Sequence, residues 1–510
     1  PRDIPAKEMR QWYVMIPVPE HGVAAGTYRG AIRAVSGNRV LATVPLELTV
    51  LPYKLLPPAK LYGIYENLGL PSDDPRYRMM LQDMVEAGIH NPWVAAGIKR
   101  VRTKAGGWHV SFEGMERVMA LREEVGMDSD LAVLVWEGTG FNLYGTNTEE
   151  GLVAGAKRLR TWWDVRGFKG DLAIYGIDEA SGAALRQHAK DYRVLAREGV
   201  KIATACASGY FADAGDAIAY PIIAGGMHPS DGVMADVARA RIAGATVLNY
   251  DEPQLIYHDP LMYRVRAGFN LWNNVYDGWY PFTYAWGLIE DHKQLRAITK
   301  GGGSPFKLHG VVIVGKNRLI PQVEWPAVRQ GIDDVRYATT LAAQVLTARE
   351  KGIAAAEADE AEKLLRDPGV KENDWTTVEP ARQRSIDMIG RMEKGGGAWR
   401  VATIAQGEPK ALAKKVNAWI RPDLSFRPFP MGMPELQTKL DTLTTLVETD
   451  PVKAMFSGLE GKALIRAARA EGKINPIETL VAQGLFGDRI MQAEVAALSM
   501  EKPKDGGLSP

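Results

Sequence analysis

The spacing of apolar and polar positions divides the chain into unlike stretches. Near the N-terminus the period is two. Residues 11–18, 26–35 and 40–51 read as short strands. Gly26-Thr27-Tyr28-Arg29-Gly30 opens one, Ser36-Gly37-Asn38 turns the chain, and Val44 to Val50 alternates apolar with other residues. Three strands do not make a stable sandwich, so residues 1–56 are expected to be the C-terminal part of a β-sandwich domain. Pro52, Pro57 and Pro58 mark the exit from it.

From about residue 60 the pattern alternates between short apolar runs and longer amphipathic ones. Leu61–Tyr65, 89–94, 130–136, 171–177, 201–206, 217–223, 245–250 and 275–282 read as strands. Helices are predicted over Asp74–Ala87 and near 113–125, 149–166, 182–199 and 230–243. Ser72 and Asp73 are cap candidates for the first helix, and Gly88 is its stop. Eight strands, most of them separated by helix-length segments, predict an α/β fold, a (β/α)8 TIM-type barrel spanning 57–345. Periodicity alone also allows an open doubly wound sheet. Past residue 310 come a β-like run, Val311–Val314, and a helix beginning near Trp325. Residues 346–510 are expected to form a mostly helical C-terminal extension, with breaks at 421–434 and 449–451 and a disordered tail from Lys502. The chain has no internal repeat.

Composition narrows the function classes. Of 510 residues, 46% are apolar and 24% charged, enough for a large core. Sixty-two basic residues against 61 acidic ones leave a net charge of +1, which gives no electrostatic footprint for nucleic acid. No apolar run is long enough to span a bilayer. Cys206 is the only cysteine, so disulfides within the chain and cysteine-rich zinc sites are excluded, and its apolar setting reads as core. No basic region followed by an apolar core opens the sequence, which starts at Pro1 almost directly in a strand pattern. That is the pattern of a chain beginning inside a larger domain. Localisation is therefore open, with a secreted or periplasmic bacterial setting the expectation for the whole protein. Thirteen tryptophans and 18 tyrosines matter more, because several fall just after predicted strands. There they could stack on the C–H face of a sugar.

The candidate chemistry sits at strand ends. The strand 171–177 ends in Asp178-Glu179-Ala180. In a barrel, the carboxyl ends of the strands carry the active site, and two adjacent acids cost energy unless they are used. The plain structural alternative is a helix N-terminus that favours acids through its dipole. A second pair, Asp251-Glu252-Pro253, ends the strand 245–250, and the alternative there is a loop start. The pairs close the fourth and seventh barrel strands, positions that face each other across the mouth. The eight histidines form neither HxH nor HExxH, so no metal and no cofactor is expected. A GxSxG elbow is absent. Gly310 to Asn317 resembles a P-loop only superficially, since Asn317 stands where a hydroxyl ligand belongs and the middle reads as a strand. Gly301–Gly303 and Gly395–Gly397 follow no strand and read as linkers.

With these residues in view, the chain resembles glycoside hydrolase family 123, the β-N-acetylgalactosaminidases, over residues 10–345. Gly26-Thr27-Tyr28-Arg29-Gly30 and Val50-Leu51-Pro52-Tyr53 look like the junction of that family's N-terminal domain with its barrel, and Tyr77–Pro92 like its first barrel helix and turn. Asp178-Glu179 stands at the family's Asp-Glu pair. The run Trp325-Pro326-Ala327-Val328-Arg329-Gln330-Gly331-Ile332-Asp333-Asp334-Val335-Arg336-Tyr337 is similar to its post-barrel signature and is the most specific match. Two positions depart from the pattern. Ala180 replaces the usual proline, and Val323-Glu324 replaces a Ser-Arg.

The resemblance implies a substrate-assisted, retaining hydrolysis of β-linked 2-acetamido sugars, N-acetylgalactosaminides above all, in an oligosaccharide or glycoconjugate. Glu179 would protonate the glycosidic oxygen and later activate water. The substrate's acetamido carbonyl would attack the anomeric carbon, with Asp178 orienting that amide. Two other readings stay open. In one, Glu179 is the acid/base and Glu252 a covalent nucleophile, about 5–5.5 Å away. In the other, the chain is a non-catalytic carbohydrate-binding protein on a degenerate barrel. Trp136, Tyr175, Tyr250, Glu252, Asp277 and Trp279, each at or near a predicted strand end, are the expected pocket lining. Tyr175 is the weakest of them because it lies inside its strand.

Overall fold

Eight parallel strands close on themselves. The computed structural model describes residues 14, 16, 18, 22–66, 70, 72–94, 99–102, 104, 108–134, 148–224, 229–250, 259–285, 310–371, 374–394, 408–420, 438–439, 442–443, 445–446, 449–470 and 490. The barrel strands are β3 (Leu61–Ile64), β4 (Asn91–Val94), β7 (Leu131–Leu134), β8 (Asp171–Tyr175), β9 (Lys201–Cys206), β10 (Tyr220–Ala224), β11 (Leu248–Tyr250) and β12 (Gly278–Trp279). Each pairs in parallel with its neighbours, and β12 closes the ring on β3 through Gly278 opposite Leu61. The (β/α)8 barrel expected from the periodicity is therefore the observed fold, and the open sheet is not.

The strand–helix alternation follows local rules. Helix α1 (Pro75–Ala87) has Asp74 as its N-cap and proline at its first position, and it ends at Gly88 in the left-handed region. Helices α2 (Glu113–Glu124), α3 (Glu149–Arg166), α4 (Gly182–Arg197) and α6 (Asp231–Ile242) fall close to the predicted spans. Several elements were not anticipated, among them two within the barrel's run of strands and helices. One is the small hairpin β5 (Lys99–Arg102) with β6 (Trp108–Ser111), and the other is the short helix α5 (Tyr210–Ala214). A helix α7 (Pro260–Val265) runs on into a π turn before β12.

Strand side chains alternate between faces, so every second residue of each barrel strand points inward. The interior is filled by Tyr65, Leu131, Val133, Ala173, Ala203, Tyr220, Ile222, Leu248 and Tyr280. Gly63 makes room for one of the large ones: a Cβ there would lie 2.1 Å from the Tyr280 ring.

The chain divides into two compact units: Lys60–Val335 with Val370–Val378 and Asn417–Pro510, and Pro1–Ala59 with Arg336–Gly369 and Glu379–Val416. The first holds the barrel. The second contains the antiparallel hairpin of β1 (Gly26–Ser36) and β2 (Arg39–Val50). Of the strand expected at 11–18, the described positions 14, 16 and 18 lie outside any strand. In the same unit Leu56 N donates to Thr340 Oγ1 and Ala59 N to Thr339 Oγ1, on the later part of helix α8 (Glu324–Lys351). Hairpin β13 (Val312–Val314) with β14 (Leu319–Pro321) precedes α8. Helices α9 (Ala355–Arg366), α10 (Val378–Lys394), α11 (Pro409–Ile420) and α12 (Pro451–Ala470) follow it.

Candidate active site

Past Tyr175 the chain leaves the sheet as Gly176-Ile177-Asp178-Glu179, and the backbone of this turn is tied down at Gly176, Ile177 and Glu179. Gly176 N donates to Ala203 O at 2.9 Å and Glu179 N to Ala205 O at 3.2 Å, so the turn stays in register with β9. Ile177 N donates to the Tyr192 hydroxyl at 2.7 Å, and Thr204 Oγ1 donates to Ile177 O at 2.7 Å. Residue 176 must be small for this, because a Cβ would stand 2.7 Å from the Tyr192 hydroxyl. Beyond the turn, Asp213 on α5 accepts from Gly182 N at 2.6 Å and from Arg186 at 2.5 Å. Asp178 and Glu179 are nonetheless solvent-exposed. Glu179 has φ 49°, a left-handed conformation that costs energy for a residue with a Cβ. Such strain persists only where the surroundings over-determine it, which the four hydrogen bonds do, and it concentrates at functional sites.

Below the pair, the carboxyl end of the barrel is lined by aromatic rings. Tyr65 is the hub, in edge-on contact with Trp93, Tyr175, Tyr250, Tyr280 and Phe282 at centroid distances of 5.0–5.9 Å. Trp93 stacks on Tyr175 at 4.9 Å with an interplanar angle of 18°. The hub's backbone is fixed as well. Tyr65 N donates to Pro281 O, and Tyr65 O accepts from Thr283 Oγ1 at 2.6 Å and Tyr284 N at 2.8 Å. The Phe282–Thr283 peptide is cis.

One side chain reaches from this floor to the acids. The Tyr175 hydroxyl donates to Asp178 Oδ1 at 2.5 Å. It lies 3.1 Å from the Tyr65 hydroxyl and accepts from Ala205 N at 3.3 Å. Burial, and then the Asp178 carboxylate, hold the Tyr175 phenol well above its ordinary range. Burial, and then Tyr175, do the same to Tyr65. Both are protonated donors at any working pH.

Of the residues predicted for the site, Asp178, Glu179, Tyr175 and Tyr250 come together at the carboxyl end of the barrel. Trp136 and Glu252 lie outside the described residues. Asp277 and Trp279 are not brought there. Asp277 precedes β12 at the amino end, where it is buried, accepts from Val247 N at 3.0 Å and pairs with Arg241 at 3.2 Å. Trp279 alternates with the inward-facing Tyr280, so its fully buried ring faces away from the barrel interior. Tyr65, Trp93 and Phe282 were missed. Alternation counted back from each strand end finds them, provided the end is known to one residue. Cys206 is buried, and burial pushes its thiol up, which leaves it a core residue. Among the described residues no group of three or more His, Cys, Asp or Glu side chains could hold a metal. Nor, among the described residues, is any helix long and apolar enough to cross a membrane.

The chain matches no protein-family model, and no curated protein matches it. Among solved structures it is similar to a family 39 glycoside hydrolase from Bacteroides cellulosilyticus, at 12% identity, covering 61% of this chain and 71% of that one with a TM-score of 0.39. It is also similar to a family 10 endo-β-1,4-xylanase from Gloeophyllum trabeum, at 14% identity over 55% and 99% of the two chains with a TM-score of 0.36. A chitobiase from Flavobacterium johnsoniae matches at 10% identity over 90% and 81%, with a TM-score of 0.29. Likenesses at this level leave the chemistry to be read from the residues of the site.

Proposed function

We propose that this chain is a glycoside hydrolase acting on β-linked 2-acetamido sugars, N-acetylgalactosaminides above all, by a substrate-assisted route that retains anomeric configuration. The observation that carries the reading is the exposed Asp178-Glu179 pair at the carboxyl end of the fourth barrel strand, with Asp178 held by Tyr175 over an aromatic floor. One acid is positioned, as an amide-orienting group must be. The other is presented to solvent on a pinned turn, as a proton donor must be. Glu179 gives a proton to the departing glycosidic oxygen and takes one from water in the second step. The acetamido carbonyl of the substrate attacks the anomeric carbon, and Asp178 accepts the amide N–H and balances the positive charge that develops there. The adjacent pair supplies both roles without a protein nucleophile, and the resemblance to family 123 supports the same assignment.

A thiazoline analogue of the cyclised intermediate tests the mechanism, because a compound resembling the transition state binds far more tightly than substrate. Strong inhibition, with Glu252→Gln keeping much of the activity, is the expected result. Cleavage of an aryl β-hexoside that lacks the acetamido group, with covalent labelling of Glu252 and no effect of the thiazoline, would transfer the assignment to a two-carboxylate enzyme. Binding of oligosaccharides without cleavage of either sugar class would leave a carbohydrate-binding protein.

A further inference from the structure

The Tyr175 hydroxyl has its hydrogen-bonding capacity filled. A phenol has one proton to give and two lone pairs with which to accept. The proton goes to Asp178 Oδ1 at 2.5 Å. One lone pair takes the backbone N–H of Ala205 at 3.3 Å. The Tyr65 oxygen is 3.1 Å away, and since Tyr175 has no second proton, Tyr65 must be the donor of that bond. The direction of the chain is thereby set: Tyr65 donates to Tyr175, and Tyr175 donates to Asp178. Nothing of the Tyr175 hydroxyl remains for a sugar. One face of its ring is also occupied, stacked on Trp93 at 4.9 Å.

We propose that Tyr65 and Tyr175 form a directed hydrogen-bond relay that positions Asp178, and that Tyr175 is a positioning residue, not a contact for the sugar. The relay runs from the barrel floor, where Tyr65 is wedged among five aromatic rings and held through its backbone, to the exposed acid at the rim. A carboxylate on a turn has free rotation about χ1 and χ2 unless something holds it. A donor fixed to the packed aromatic floor of the barrel gives it one orientation before substrate arrives, the kind of support that reactive groups require. Donation from Tyr65 polarises the Tyr175 O–H toward Asp178, since hydrogen bonds in a chain strengthen one another. The proposal rests on the functional reading above for what Asp178 does, but not for how it is held.

The test uses the full chain with Tyr65→Phe and Tyr175→Phe, each of which keeps its ring and therefore the aromatic packing. Two quantities are measured: kcat and KM on 4-nitrophenyl 2-acetamido-2-deoxy-β-galactopyranoside, and the place of the Asp178 carboxylate in a crystal of each variant. Tyr175→Phe is expected to lower kcat about 10–100-fold and Tyr65→Phe roughly 3–10-fold, with KM within about twofold, because orientation matters more in the transition state than in the ground state. In the Tyr175→Phe crystal, Asp178 should leave its position. Parental kcat in both variants overturns the relay. So does a rise in KM with kcat unchanged in Tyr175→Phe, which would mark Tyr175 as a sugar contact. If the parent chain cleaves no 2-acetamido sugar, the functional reading fails, and the crystal still decides the relay: Asp178 displaced supports it, Asp178 unmoved refutes it.

Discussion

The two ends of β8 carry acids in opposite circumstances. Asp171 opens the strand, and its carboxylate takes the Lys201 ammonium at 2.7 Å together with the Tyr220 hydroxyl. Asp178 lies on the turn just beyond the strand's carboxyl end and makes no ion pair among the described residues; its partner there is a neutral phenol. The contrast extends around the barrel. At the amino end, Asp277 is buried against Arg241 and the backbone of Val247, and Asn91 accepts from both Asp130 N and Leu131 N while donating to Tyr62 O. Acids at the amino end are thus neutralised by the protein and serve the fold. At the carboxyl end Asp178 and Glu179 are exposed, on backbone held by four hydrogen bonds and, at Glu179, bent into the left-handed region. A fold gains nothing from strain of that kind, whereas a site that awaits a charged or polar ligand does.

Glu179→Gln is the sharpest way to break this contrast. Glutamine keeps the shape and removes the proton, so turnover of a 2-acetamido aryl glycoside should fall about 10²–10⁴-fold, the usual scale for one acid–base group. Thermal stability should hardly change, because the side chain is exposed. Near-parental turnover would return the pair to the structural alternative, acids at the start of a helix.

Asp277→Ala is the converse experiment. It leaves the Arg241 guanidinium in a buried site without its carboxylate, and breaking a buried pair in this way costs about 3–5 kcal/mol. The urea midpoint should drop accordingly, while kcat per folded molecule stays at the parental value, since Asp277 lies at the far end of the barrel from Asp178. Loss of turnover with an unchanged urea midpoint would overturn the division of labour between the two ends.

How far the sequence carried depended on what each feature requires. The eight strands were legible because each is a short apolar run and most are bounded by helix-length segments, and Asp178-Glu179 was legible because it directly follows the run 171–177. Which way a side chain faces was not legible where the strand end was uncertain. A strand drawn over 275–282 leaves parity open, and the true ladder at Gly278–Trp279 puts Tyr280 inward and Trp279 outward. Asp277 was misplaced for the same reason: it precedes the strand, so it belongs to the amino end. Trp93 follows Pro92 in a four-residue strand too short for its alternation to register. The five residues of α5 complete little more than one turn, so no apolar stripe could announce them. Asp213, which anchors the far side of the acidic turn, went unseen with them.

A third acid gives the smallest and most specific prediction. Asp83 lies on α1, half-buried, and accepts from the Tyr284 hydroxyl at 2.7 Å, next to Trp325 and Arg329. Burial is the largest influence on it and outweighs these donors, so its carboxyl is raised from 3.8 to about 6. Burial keeps this half-buried acid partly protonated, and the linkage therefore runs in the unusual direction. A carboxyl whose pKa is higher in the folded state than in the unfolded one adds stability below the unfolded value, and that stability is lost as pH rises through the folded value. The contribution should be complete below pH 4 and gone above about pH 7, with a size of at most about 3 kcal/mol at roughly 1.4 kcal/mol per unit. Other carboxylates pull the opposite way in acid, so the quantity to measure is the difference in unfolding free energy between the parent and Asp83→Asn across that range. Asparagine is neutral at every pH and keeps an acceptor for Tyr284. The variant should therefore gain on the parent steadily from pH 4 to pH 7. A difference that stays flat over that interval would show that Asp83 is as well compensated as the acids of the amino end, and the contrast between protected and exposed acids would then rest on Asp178 and Glu179 alone.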